Sequence, residues 1–131
     1  MSLERPRPEG LAVTRYAQVV VARGSRLVFV SGQVSVDDRG QVVAAGDFAG
    51  QARQAHVNLV AALSAAGATP DDIAKLTTYV VGYRPELLTD IRDARAAVLG
   101  TGGSPASTLI GVEALASPEY LIEVEAYAVV D

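Results

Sequence analysis

The most regular alternation in the chain runs from Tyr120 to Val130. Ile122, Val124, Ala126 and Ala128 fall on one side of a strand, and Glu123 and Glu125 fall on the other. Ala17 to Ala22 and Arg26 to Val34 are two Val-rich runs separated by Arg23-Gly24-Ser25, which has hairpin character. They are expected to pair as an antiparallel hairpin. Asp37-Asp-Arg-Gly40 has the residues of a tight turn, and Gln41 to Ala44 is expected to extend the sheet beyond it. At Asp47 the period changes. Phe48, Ala52, Ala55, Leu59, Ala62 or Leu63, and Ala66 recur at three- and four-residue steps, predicting a helix capped by Asp47 and closed by Gly67. Thr69 to Asp72 reads as a turn, and Ile73 to Val81 as a strand. Pro85 opens a second helix, whose apolar face takes Leu87 or Leu88, Ile91, Ala94 or the stem of Arg95, and Val98, ending near Gly100. Two more strands follow, Ala106 to Val112 and Leu121 to Val130.

The predicted order is β-β-α-β-α-β-β, an α+β architecture in which two helices cover one face of a mixed sheet. The other face still carries Val, Tyr and Ala beside its carboxylates, and self-association is the simplest way to cover it. The 131 residues, half of them apolar and a fifth charged, suit a single domain. Residues 1–10 are polar and rich in proline and read as a flexible arm. The longest apolar runs fall far short of the roughly 18 residues that a membrane-crossing helix needs, so no membrane partner is expected and the chain reads as cytoplasmic.

Charge and composition narrow the chemistry. A net charge of −4, with a single lysine at position 75, gives no broad basic surface for nucleic acid. Without cysteine there is no thiolate nucleophile, disulfide or Cys-ligated metal, and one histidine cannot form a ligand cluster; no metal or cofactor is expected. His56, inside the first helix and without a second histidine or a clear carboxylate partner, reads as a surface or boundary residue. Gln33 and Asn58 divide evenly between ligand contact and bonding to buried backbone. Gly100-Thr-Gly-Gly103 lacks the strand-to-helix setting of a phosphate loop.

Tyr16, Val28-Phe-Val-Ser-Gly-Gln33, Asp37-Asp-Arg-Gly40, Gln51-Ala-Arg-Gln54 with Asn58, and Ala65-Ala-Gly67 form an ordered set of motifs. It continues through Ile73-Ala-Lys-Leu-Thr77, Pro105-Ala106 and Ile122-Glu-Val-Glu-Ala126. Together they resemble the Rid family of reactive-intermediate deaminases, also called YjgF-type or L-PSP endoribonuclease-like proteins. The resemblance implies a chorismate-mutase-like fold, a homotrimer, and small-molecule clefts between subunits. In the deaminating branch such a cleft hydrolyses a 2-imino acid to the 2-keto acid and ammonia, without a metal or organic cofactor.

Carried over by position, the resemblance makes Glu123 the carboxylate beside the water and Tyr16 a wall of the cleft. Gly32 becomes a point where backbone approaches the ligand. It also exposes a departure. Deaminating members have Pro-Ala-Arg-Ser where this chain has Pro105-Ala-Ser-Thr108, so Ser107 stands in place of the arginine that grips the substrate carboxylate. A hydroxyl does not replace a fixed cation. Such a loss costs about 1.5–3 kcal/mol, or about one to two orders of magnitude in binding. Ser107 and Thr108 offer neutral hydroxyls instead, and Arg15, next to Tyr16, is the candidate replacement cation. The expectation is a Rid-like hydrolase or deaminase acting on an imine, enamine or related carbonyl derivative. The alternatives are a ligand-binding or regulatory trimer without catalysis and, more weakly, an endoribonuclease or translation inhibitor.

Overall fold

The computed structural model describes residues 1–131. Its strands are β1 (Ser2–Glu4), β2 (Val21–Arg23), β3 (Arg26–Gln33), β4 (Ile73–Val81), β5 (Ala106–Val112) and β6 (Ile122–Val130). Its helices are α1 (Phe48–Ala65) and α2 (Leu88–Leu99). From β2 onward the element order is the expected one. The main sheet runs β3-β6-β4-β5, parallel between β4 and β5 and antiparallel elsewhere.

Both helices lie on one face. Ala52, Ala55, Leu59 and Leu63 of α1 pack with Ile91 and Ala94 of α2 over Leu76, Val80, Ile122, Val124, Ala126 and Ala128, all buried. The alternation in β6 therefore meets a continuous apolar layer, as its period requires. The Asp47 side chain accepts from Gly50 N at 3.0 Å, a cap worth about 1 kcal/mol. Gly67, at φ 72°, takes the left-handed conformation beyond the helix end that a residue with a Cβ adopts at a cost. Thr69 and Asp72 form a reciprocal capping box at the short turn before β4. Neither helix is long and apolar enough to cross a membrane.

Three expectations are corrected. The hairpin between the two Val-rich runs does not form: β2 pairs with β1, which lies in the segment read as an arm, and β3 pairs with β6. The long β6 offers β3 a matching buried face from Ala126 to Val130, and packing of that face decides the register. Arg23-Gly24-Ser25 instead turns the chain so that Gly24 sits against Val129, where a Cβ would clash. Ala17 is drawn away to the start of β5, bridging Ala106 and donating its N–H to Pro105 O at 3.2 Å. Residues 41–44 add no strand to the sheet and fold back on Ser35 to Asp37 through an isolated Val36–Val42 bridge. His56 is fully buried, not at the surface.

The face of the sheet away from the helices carries large apolar groups. Leu27 and Phe29 are each 68% exposed and Tyr127 is 48% exposed. The Phe29 and Tyr127 rings meet edge to face at 5.3 Å.

Candidate functional site

Strand alternation divides the candidate residues between two places. β6 and β4 set Glu123 opposite Tyr79 and Glu125 opposite Thr77, and β5 places Thr108 opposite Thr77. Glu123, Glu125, Tyr79 and Thr108 thus share the outer face. Lys75 joins them, donating from Nζ to Thr108 Oγ1 at 2.6 Å. Ser107, one residue from Thr108, points the other way, toward α2.

The two outer-face carboxylates have different surroundings. Tyr79 donates its hydroxyl to Glu125 Oε1 at 2.6 Å, and that bond is the main reason the phenol is pushed up to about 12. Burial and the nearby carboxylate charges add to the shift. Glu123 makes no side-chain hydrogen bond or ion pair and lies half-buried against Gly32. Gly32 sits in a bulge of β3, between the Val30–Ala126 and Gln33–Val124 pairs. A Cβ at this position would lie 2.8 Å from Glu123 Cγ and closer still to the carboxylate. Glycine is required here for close approach rather than for an unusual φ.

The second place is a cavity of about 310 Å³ between α2, the loop 100–105 and the segment entering Ala17. Arg15, Tyr16, Arg92, Arg95, Ala96 and Leu99 line it with the loop. The Ala17–Pro105 hydrogen bond brings Arg15 and Tyr16 to its edge. Arg95 Nη2 donates to Ser107 Oγ at 3.4 Å, while Arg95 Nε is buried without a partner. Burial, and then the charge of Arg92, hold the Arg95 guanidinium below its ordinary pKa. Arg5 supports the loop by donating from Nε to Ser104 O at 2.6 Å.

Within one chain, then, Arg15 and Tyr16 meet in the cavity and Arg95 joins Ser107 to it. Glu123, Gly32 and Thr108 stand on the opposite face of the sheet. Sequence reasoning missed Arg95 as a polar group, because its stem fits the apolar face of α2. Its charge at a core-facing position was the available signal. Asn58 proves to be a scaffold residue: its amide donates to Val34 O at 2.8 Å and Val36 O at 2.9 Å. Gln51 is buried and ties α1 to the start of β6, donating to Glu119 O and accepting from Leu121 N, both at 3.0 Å.

The fold as a whole is shared with known proteins. The family model described as Endoribonuclease L-PSP matches residues 7–130, and the chain belongs to that family, the Rid or YjgF group. RutC family protein PH0854 of Pyrococcus horikoshii is 30% identical over 123 residues, covering 87% of this chain and 92% of that protein. A crystal structure of the Rid-family protein YyfB from Yersinia pestis, described as of unknown function, superposes with a TM-score of 0.90 at 36% identity. It covers 98% of this chain and 99% of its own. The Escherichia coli TdcF structure, solved with bound serine, gives a TM-score of 0.69 at 29% identity and covers 90% of each chain.

Proposed function

We propose that this protein is a Rid-like hydrolase that converts a small imine or enamine to the corresponding carbonyl compound and ammonia, with Glu123 handling the water. The observation that carries this reading is the contrast between the two carboxylates. Glu125 is occupied by the Tyr79 hydroxyl, whereas Glu123 is unengaged and faces a backbone notch that only glycine leaves open. Serine bound to the relative TdcF supports a ligand of amino-acid size.

In the proposed reaction Glu123 orients a water and takes its proton as oxygen bonds to the imine carbon. The C=N π pair passes to nitrogen. Return of that proton to nitrogen gives a carbinolamine; Glu123 then moves the carbinolamine hydroxyl proton to the amino nitrogen, and the C–N bond breaks to release ammonia as the C=O bond forms. An enamine first gains a proton on carbon and reacts as the imine. Because Glu123 and the arginine-lined cavity lie on opposite faces of one chain, the working cleft is completed by a neighbouring subunit. The exposed Leu27, Phe29 and Tyr127 supply an apolar face for that contact, and a homotrimer is the assembly we propose.

Ser107 favours a second reading, a trimer that binds a ligand without turning it over. Hydrolysis of an imine generated in situ, compared between the native protein and Glu123→Gln, separates the two. The hydrolase reading requires catalysis that depends on the carboxylate.

A further inference from the structure

Arg15, Arg92 and Arg95 line one cavity whose walls contain no aspartate or glutamate. The two ion pairs of the chain lie elsewhere, joining the Met1 amino group to Asp131 and Arg84 to Glu86. Asp71 is the nearby acid, behind the loop at Gly102. A largely buried guanidinium without a carboxylate partner is costly to maintain. Ser107 Oγ accepts from one Nη of Arg95 at 3.4 Å, the Nε–H is buried and unbonded, and the remaining Nη hydrogens are donors for another acceptor. The Gly100-Thr-Gly-Gly103 stretch carries few side chains to fill the space in front of it.

We infer that this cavity is an oxyanion-binding site in which Arg95, oriented by Ser107 and assisted by Arg15, grips the carboxylate or phosphate of a small ligand. Ser107 is then a positioning residue. The cation that the strand lacks at 107 is delivered from α2, one helix face away. The inference deepens the proposed function by making the preferred substrate an anionic imine or enamine, and it rests on that reading for its catalytic meaning. The binding site itself stands on the cavity.

The test titrates the intact protein with 2-oxobutanoate, with inorganic phosphate and with the uncharged 2-butanone. Arginine Nε–H resonances and calorimetry report binding. The expected result is saturable binding of at least one oxyanion, movement of the Arg95 Nε–H resonance, and no binding of 2-butanone. The tighter of the two oxyanions identifies the ligand group. Arg95→Gln should weaken binding by about tenfold or more, and Arg15→Gln, an exposed change, by less. Adding Ser107→Arg to Arg95→Gln should restore binding, which a merely structural role for Arg95 does not predict. Saturable oxyanion binding by a native protein that hydrolyses no imine contradicts the hydrolase reading alone and leaves the binding site standing. An Arg95 resonance unmoved by either oxyanion, or equal binding of 2-butanone, overturns the inference and leaves hydrolysis of a neutral imine open.

Discussion

Glu123 and Gly32 fit together across β6 and β3 so closely that a methyl group on residue 32 would occupy the space of the carboxylate. The bulge between Val30 and Gln33 brings the β3 backbone to that point. Gly32→Ala must therefore displace Glu123 or open the bulge. Overpacking of this kind costs about 1–3 kcal/mol, and moving a catalytic group by about 1 Å costs about 100-fold in rate. Thermal unfolding and kcat/KM should both fall. Native kcat/KM in Gly32→Ala would show that the close fit has no part in catalysis.

Tyr79 and Glu125 hold each other through one short hydrogen bond. The raised phenol pKa has a definite sign: the folded state keeps a proton that the unfolded chain releases near 10. This contribution is present below 10 and is lost as the pH climbs toward about 12. Ultraviolet titration of the native protein should show a late-ionising tyrosine that is missing in Tyr79→Phe. An identical late phase in both proteins would place the bond elsewhere.

His56 lies fully buried in α1, with Nδ1 donating to Ala52 O at 2.7 Å and Nε2 unpartnered. Burial is the main cause that lowers its pKa to about 4; the bond to Ala52 opposes the shift and the charge of Arg95 adds to it. The unfolded chain takes up a proton near 6.5 and the folded one does not. Stability is full above about 6.5 and falls toward pH 4, by about 3 kcal/mol in total. Denaturant midpoints measured across this range should drop in the native protein and flatten in His56→Leu. An equally steep loss in His56→Leu would assign the acid limb to the carboxylates.

Much of the fold was legible because its signals are local. The Ile122-to-Ala128 alternation, the Asp47 and Gly67 caps and the Ile73 to Val81 run each fix geometry within a few residues, and each element formed where expected. Pairing partners are not local. Nothing within Ala17 to Val34 reveals that β3 prefers a strand about 100 residues away, or that Ala17 crosses to Pro105. The candidate site was legible in part for the same reason. Glu123 was marked by a carboxylate on a hydrophobic strand, whereas Arg95 looked like an apolar stem because tertiary packing decides where its guanidinium ends. His56 was likewise misplaced, since an isolated histidine carries no pattern that separates a buried position from a boundary one.

The apolar outer face predicts assembly. Phe29→Glu places a charge on the Phe29–Tyr127 contact and should shift the proposed trimer to monomer in sedimentation, with the far-ultraviolet spectrum of the fold retained. A native protein that sediments as a monomer would contradict the shared cleft.

The most direct test of the account follows the decay of 2-iminobutanoate, generated in situ, beside that of an uncharged imine, with the native protein and with Glu123→Gln. The native protein should accelerate hydrolysis of the anionic imine more than that of the neutral one, and Glu123→Gln should lose about two to four orders of magnitude of this acceleration while keeping its assembly. No acceleration of either imine by a folded oligomer, or full activity in Glu123→Gln, would contradict the account.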